Sequence, residues 1–171
     1  ANLIVVGRPG VGVDNVDLEA ATRRGILVMN SPLGNMVSTA EFAMALIFAV
    51  ARNVAQADAS IKAGKWERKA FRGVELQGKR IGIVGLGRIG REVAARCRAL
   101  GMEVAAFDPF VSAAAASALG VRLLPMEELA QTSDFLSLHT TLTAETRNLV
   151  GASLLAKAKP GALNYASAGV A

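Results

Sequence analysis

Short apolar runs recur along the chain, separated by segments whose apolar residues repeat at helical spacing. The alternation is most regular from Arg80 onward. Strands are predicted over 80–85, 103–108, 121–124, 135–139 and 162–167, and helices near 88–99, 112–119, 126–132 and 152–157. Continuous apolar strands alternating with helices make a parallel sheet covered on both faces. Right-handed crossovers then give an α/β fold with a doubly wound sheet.

The first part of the chain is less regular. Leu3-Ile4-Val5-Val6 reads as a strand, followed by the glycine-rich loop 7–13. Asp17 is placed to cap a short helix through Arg24, which Gly25 stops. Ile26-Leu27-Val28-Met29 is a second strand. Ser38 and Glu41 have the spacing of a capping box, opening a long helix that is expected to run to about Ala63 and end at Gly64. Its stretch Thr39–Ala51 is apolar nearly all the way round, which calls for burial on more than one side. A subunit interface would supply that burial; an ordinary core helix is the alternative. Lys65–Lys79 carries no clear pattern.

The first candidate chemistry lies in Ile81-Gly82-Ile83-Val84-Gly85-Leu86-Gly87-Arg88-Ile89-Gly90, a buried strand running through a glycine turn into a helix. Gly85 permits the tight turn, Gly87 lets backbone approach a pyrophosphate, and Gly90 lets the helix pack close to the strand. The helix N-terminus offers N–H groups and a positive dipole end to phosphates. Asp108 ends the next strand, where it can accept hydrogen bonds from a ribose diol and repel a 2′-phosphate. Together these indicate a Rossmann-type site for a nicotinamide dinucleotide, NAD in preference to NADP.

Composition narrows the class. The 171 residues suit one domain, or one domain with part of another, and 52% hydrophobic residues suffice for a core. The longest apolar stretch, Phe42–Ala51, is too short for a bilayer, and no leader pattern opens the chain. The single Cys97 reads as a small core residue in a reducing, cytoplasmic protein. The net charge of +5 is scattered apart from Lys62–Arg72, and neither a nucleic-acid motif nor a metal-ligand set is present. An anionic small molecule fits the charge better.

Several stretches together carry a family resemblance: Arg8-Pro9-Gly10-Val11-Gly12-Val13-Asp14-Asn15, Gly25-to-Asn30, Gly34-Asn35, Gly64-Lys65-Trp66-Glu67-Arg68-Lys69 and Gly85-to-Gly90. The chain resembles the D-2-hydroxyacid dehydrogenases over almost its whole length. The first and fourth stretches point within that family to the branch acting on 3-phosphoglycerate. The resemblance implies hydride transfer from C2 of this substrate to NAD, giving 3-phosphohydroxypyruvate in the first step of serine synthesis. It implies a homodimer or homotetramer joined through the nucleotide-binding domains. It divides the chain into residues 1–30, part of a flavodoxin-like substrate domain, and residues 31–171, the NAD-binding domain without its C-terminal strand or strands.

On this resemblance Arg8, Gly10 and Asn35 face the substrate, and Arg68 reaches the substrate phosphate of a neighbouring subunit. A guanidinium suits that task because it stays charged and forks onto phosphate oxygens; a surface salt bridge is the alternative for both arginines. Val11, Arg88, Ile89, Asp108, His139 and Thr140 are placed around NAD, with Ser167 joining them and the three glycines. His139, the only histidine, is expected to line the cofactor and not to act as acid or base.

No catalytic residue is assigned. The family carries an arginine in an Asn-x-Ala-Arg-Gly-Gly turn, then a Glu and a His. Here that turn reads Asn164-Tyr165-Ala166-Ser167-Ala168-Gly169, with Ser167 or Gly169 in the arginine's place. Pro9 removes one backbone donor beside the substrate, and Thr141 follows Thr140 where a proline is usual. The chain is therefore expected to be part of such a dehydrogenase. The alternatives are a relative with another 2-hydroxy acid as substrate and a non-catalytic NAD-binding or dimerisation module.

Overall fold

The computed structural model describes residues 2–10, 12–13, 15–31 and 34–165. The chain divides into two compact units, Ala1–Thr39 and Ala40–Ala171.

In the first unit, β1 (Val5–Arg8) and β2 (Leu27–Asn30) form a two-stranded parallel sheet, Val5 opposite Leu27 and Arg8 opposite Asn30. The crossover is α1 (Leu18–Arg23), where the Asp17 carboxylate accepts the Ala20 N–H at 2.8 Å. Gly25 follows at φ +63°, a conformation open to glycine. β1 starts at Val5 and not at Leu3; Ile4 contributes its carbonyl, which accepts the Leu27 N–H. Ile4, Val5, Leu27 and Met29 remain exposed.

Two expectations about the long helix are corrected. The capping box does not form. α2 (Met36–Ala51) starts earlier, so Ser38 lies in its first turn and donates to the Asn35 carbonyl at 3.1 Å. Nor does one helix reach Ala63. α2 gives way to α3 (Val54–Lys62) at a bend of 66°. Asn53 sits at the break with φ +53°, a left-handed conformation that asparagine tolerates better than most residues. Its Nδ2 donates to the Arg72 carbonyl at 3.1 Å, and the Val74 N–H donates to the Ala51 carbonyl at 2.8 Å. The Arg72–Val74 segment thus closes the end of α2.

The second unit holds β3 (Arg80–Val84), α4 (Arg88–Ala99), β4 (Glu103–Phe107), α5 (Ala113–Ala118), β5 (Arg122–Leu123), α6 (Met126–Thr132), β6 (Phe135–Leu138), α7 (Ala152–Leu155) and β7 (Leu163–Tyr165). The strands lie in the order β5-β4-β3-β6-β7, all parallel. The chain moves outward from β3 through β4 to β5, then crosses back to β6. The order therefore reverses between β3 and β6, the place where open α/β sheets leave a crevice at their C-terminal edge. The expected residues 166–167 of the last strand lie outside the described residues.

Alternation along the strands sorts the core onto two faces. Ile81, Ile83, Val104 and Ala106 pack with Ala40, Ala43, Met44 and Ile47 of α2 and with Val93 and Cys97 of α4. Val84, Ala105 and Leu136 pack with Leu129 and Ala130 of α6 and Leu154 of α7. Burial pushes the Cys97 thiol up to about 12 and leaves it unreactive, its Sγ 3.6 Å from Met44 Sδ. Phe42 and Phe48 of α2 stay exposed. At the sheet's N-terminal edge Asp134 accepts the Arg80 N–H at 2.9 Å and the Lys159 ammonium at 2.6 Å. Burial raises its pKa, but these two donors reverse the direction and hold it below the usual carboxylate range. Among the described residues no single helix is long and apolar enough to cross a membrane.

Candidate functional site

The switch point between β3 and β6 is built by close backbone packing. The Gly85 N–H donates to the Phe107 carbonyl at 2.9 Å, and the His139 N–H donates to the Val84 carbonyl at 2.7 Å. Gly85 has φ +94°, and a Cβ there would lie 2.7 Å from the His139 carbonyl oxygen and 3.0 Å from Thr140 Cγ2. Only glycine fits that turn. The end of β6 is thereby held against the glycine loop, so His139 and Thr140 share one site with Gly85, Gly87 and Gly90.

Gly90 in α4 lies against the same turn, where a Cβ would stand 2.1 Å from the Gly85 carbonyl oxygen. The helix start can therefore sit directly over the strand end. Gly87 is the N-cap and supplies no side-chain acceptor to the helix, and the space where its Cβ would stand is open. A pyrophosphate can approach an N-terminus of this kind. Arg88 and Ile89 form the first turn. Ile89 packs its side chain into the core, so its contribution to a ligand is its backbone. Arg91 holds the loop by donating to the Leu86 carbonyl at 3.0 Å.

Asp108 completes the arrangement. Its Oδ2 accepts the Leu86 N–H at 2.7 Å, and its Oδ1 accepts the Phe110 N–H at 2.8 Å. The carboxylate thus ties the glycine loop to the end of β4. Each oxygen keeps acceptor capacity for a ribose hydroxyl.

His139 Nε2 lies 2.8 Å from Ser137 Oγ, and Ser137 is fully buried. Burial pulls the imidazole down to about 4, so the ring is neutral near pH 7. Between pH 6.5 and about 4 the unfolded chain binds the proton and the folded chain does not. Stability is therefore full above that window and falls as pH drops through it. Substituting His139→Gln is expected to remove about 2–3 kcal/mol of the acid loss between pH 7 and 4, read from urea midpoints. Parallel losses in parent and variant would refute this burial effect.

The remaining expected residues lie elsewhere. In the first unit Arg8 donates from Nε to Asn15 Oδ1 at 2.9 Å, and a Cβ on Gly10 would meet the Arg8 guanidinium at 2.4 Å. Asn35 has a buried Oδ1 without a hydrogen-bond partner among the described residues. Arg68 stands exposed in the second unit, on a turn held by a 2.9 Å bond from Ser60 Oγ to Glu67 Oε2. Val11 and Ser167, with Gly169, lie outside the described residues.

Sequence reasoning missed Ser137 and the second use of Asp108. Two-residue alternation along β6 placed Ser137 beside His139 and could have flagged it. The Asp108–Leu86 bond joins the loops that follow two different strands and leaves no local signal.

Comparison with known proteins gives a consistent family. The family described as D-isomer specific 2-hydroxyacid dehydrogenase, NAD binding domain, matches residues 44–170. The chain is 52% identical over 171 residues to D-3-phosphoglycerate dehydrogenase of Archaeoglobus fulgidus, covering 99% of this chain and 32% of that protein. It is 52% identical over 170 residues to D-3-phosphoglycerate dehydrogenase of Rattus norvegicus, covering 98% of this chain and 32% of that protein. The chain thus spans about a third of the length of these curated relatives. Among solved structures, the apo-structure of D-lactate dehydrogenase from Escherichia coli superposes with a TM-score of 0.86 at 29% identity, covering 95% of this chain and 51% of that one.

Proposed function

This chain belongs to the D-isomer specific 2-hydroxyacid dehydrogenases through their NAD-binding domain, and we propose that it is the cofactor-holding and subunit-joining part of an enzyme oxidising 3-phospho-D-glycerate to 3-phosphohydroxypyruvate, the first step of serine synthesis. The observation that carries the cofactor half is the Asp108 carboxylate bonded to the Leu86 N–H, beside a helix start stripped of side chains at Gly87 and Gly90. The substrate half is supported by half-identity to relatives that bear that name.

The residues present fit NAD. Gly85, Gly87 and Gly90, with the backbone of Arg88 and Ile89, would hold the pyrophosphate, and Asp108 the adenosine ribose. His139 and Thr140 would line the nicotinamide side, with Val11 and Ser167 assigned there from the family pattern. When bound, the nicotinamide supplies a hydride acceptor for C2 of the substrate. Neutral His139 adds an uncharged wall there and leaves proton removal to another group. Arg8, Gly10 and Asn35 would face the substrate, the Asn35 Oδ1, which has no partner among the described residues, offering an acceptor to a hydroxyl. Arg68, on its anchored turn, would meet the phosphate held by a neighbouring subunit.

Residues 1–30 belong in this reading to a substrate domain and 31–171 to the nucleotide domain. The protein works as a homodimer or homotetramer in the cytoplasm, with no nucleic-acid or membrane partner. The exposed Phe42 and Phe48 of α2 support a subunit contact. Calorimetric titration of the chain with NADH and NADPH tests the cofactor half. Saturable NADH binding is expected, with NADPH at least about tenfold weaker because its 2′-phosphate would stand beside Asp108. A folded chain that ignores NADH would overturn the reading.

A further inference from the structure

β5 is shorter than the strand it pairs with. Its two residues lie opposite Ala105 and Ala106, so Glu103 and Val104 of β4 have no β5 partner. A cavity of about 620 Å³ opens there, at the N-terminal edge of the sheet. Its size falls within the range of about 300–1,000 Å³ usual for small-molecule pockets. It is separate from the dinucleotide site, because Asp108 follows the other end of β4, roughly 16 Å along the strand from Glu103.

Arginine dominates the lining. Arg80, Arg98 and Arg122 share the cavity with one carboxylate, Glu103, an excess of two positive charges. Two of the guanidinium groups are already oriented. Arg80 donates to Glu103 Oε2 through Nε at 3.1 Å and Nη2 at 2.7 Å. Arg98 donates through Nη1 to the Leu119 carbonyl at 2.8 Å. It lies against Gly120, where a Cβ would stand 2.4 Å from the Arg98 Cζ. Gly120 also has φ +67°, so glycine answers both to the turn and to the arginine beside it. A guanidinium carries five N–H donors, and both arginines keep several of them for a ligand. Arg122, exposed on the edge strand, forms no ion pair among the described residues. Ser117 of α5 brings a hydroxyl to the same cavity, and the buried Val104 and Val121 bring apolar surface.

We infer that this cavity is a second ligand site, which takes a small phosphomonoester. The phosphate dianion matches the excess of two charges, and guanidinium groups fork onto its oxygens. The space beyond a phosphate, with Val104 and Val121 beside it, accommodates the organic group. The site does not depend on the dinucleotide reading, and both ligands can be bound at once because they occupy opposite ends of β4.

The test titrates the folded chain with phenyl phosphate and with inorganic phosphate, following backbone amide shifts by NMR. Saturable shifts are expected at residues 103–104 and 117–122, with or without NADH. Phenyl phosphate should bind at least about threefold more tightly than inorganic phosphate, because its ring covers apolar surface. Arg122→Glu should weaken phenyl phosphate at least about tenfold, and Arg122→Lys by less, at unchanged unfolding temperature. Shifts confined to Gly85-to-Gly90 would overturn the site, as would equal binding by parent and Arg122→Glu. Equal affinity for the two compounds would overturn the phosphomonoester and leave free phosphate as the ligand.

Discussion

An alanine at Gly90 is expected to destabilise the chain by about 3 kcal/mol and to abolish NADH binding. The added Cβ would stand 2.1 Å from the Gly85 carbonyl oxygen, and the obstacle is backbone that cannot rotate away. Alanine normally favours a helix over glycine by about 1 kcal/mol. Overpacking costs roughly 1–3 kcal/mol and sometimes more, and here it outweighs that gain. Relief requires α4 to lift from β3, which moves the helix N-terminus away from the pyrophosphate. Thermal unfolding should show a fall of roughly 6–12 °C for a chain of this size. Gly87→Ala is the control. Its φ of −73° suits any residue and its Cβ would meet nothing within 4 Å. That variant should unfold at the parent's temperature yet lose NADH affinity, because the methyl group occupies the phosphate's approach. Normal binding by Gly90→Ala would show that the close packing of α4 on the glycine turn is not what the site needs.

The contrast between these glycines shows what could be read from residue order. Gly85, Gly87 and Gly90 are local signals: each answers to a turn or a close approach within a few residues. The five-stranded sheet was legible for a similar reason, since apolar runs such as Ile81–Val84 and Val104–Phe107 suit strands buried on both faces. The break between α2 and α3 was not legible. Nothing in Phe42–Ala51 interrupts helical spacing, and the turn at Asn53 is set by the Arg72 and Val74 backbone, some twenty residues on. The failed capping box has the opposite origin. Ser38 and Glu41 have the right spacing, but the helix begins at Met36, and inside a helix a serine hydroxyl bonds back to a preceding carbonyl. Most of the candidate site was legible as a set of residue types. Its bonding was not, because Asp108–Leu86 and His139–Val84 join neighbours across strands.

Asp108 is where that hidden bonding changes the expected result of a substitution. Read from position alone, Asp108→Ala removes two hydrogen bonds to a ribose. In the structure it also frees the Leu86 and Phe110 N–H groups, so the loop loses its tie to β4 and the backbone after β4 loses its anchor. Hydrogen bonds to a charged partner contribute about 1.5–3 kcal/mol each. NADH affinity is expected to fall about a hundredfold, with a loss of about 1–3 kcal/mol of stability because Leu86 is fully buried and its N–H loses its acceptor. Asp108→Asn separates the roles. Its single amide oxygen can keep one backbone bond, while its NH₂ cannot accept the other. NADH should weaken about tenfold, and NADPH hardly at all, because the like-charge repulsion has gone. The NADH-to-NADPH ratio should therefore collapse toward one in both variants. A variant that keeps the parent's ratio would place discrimination elsewhere and leave Asp108 as a tie for the loop alone.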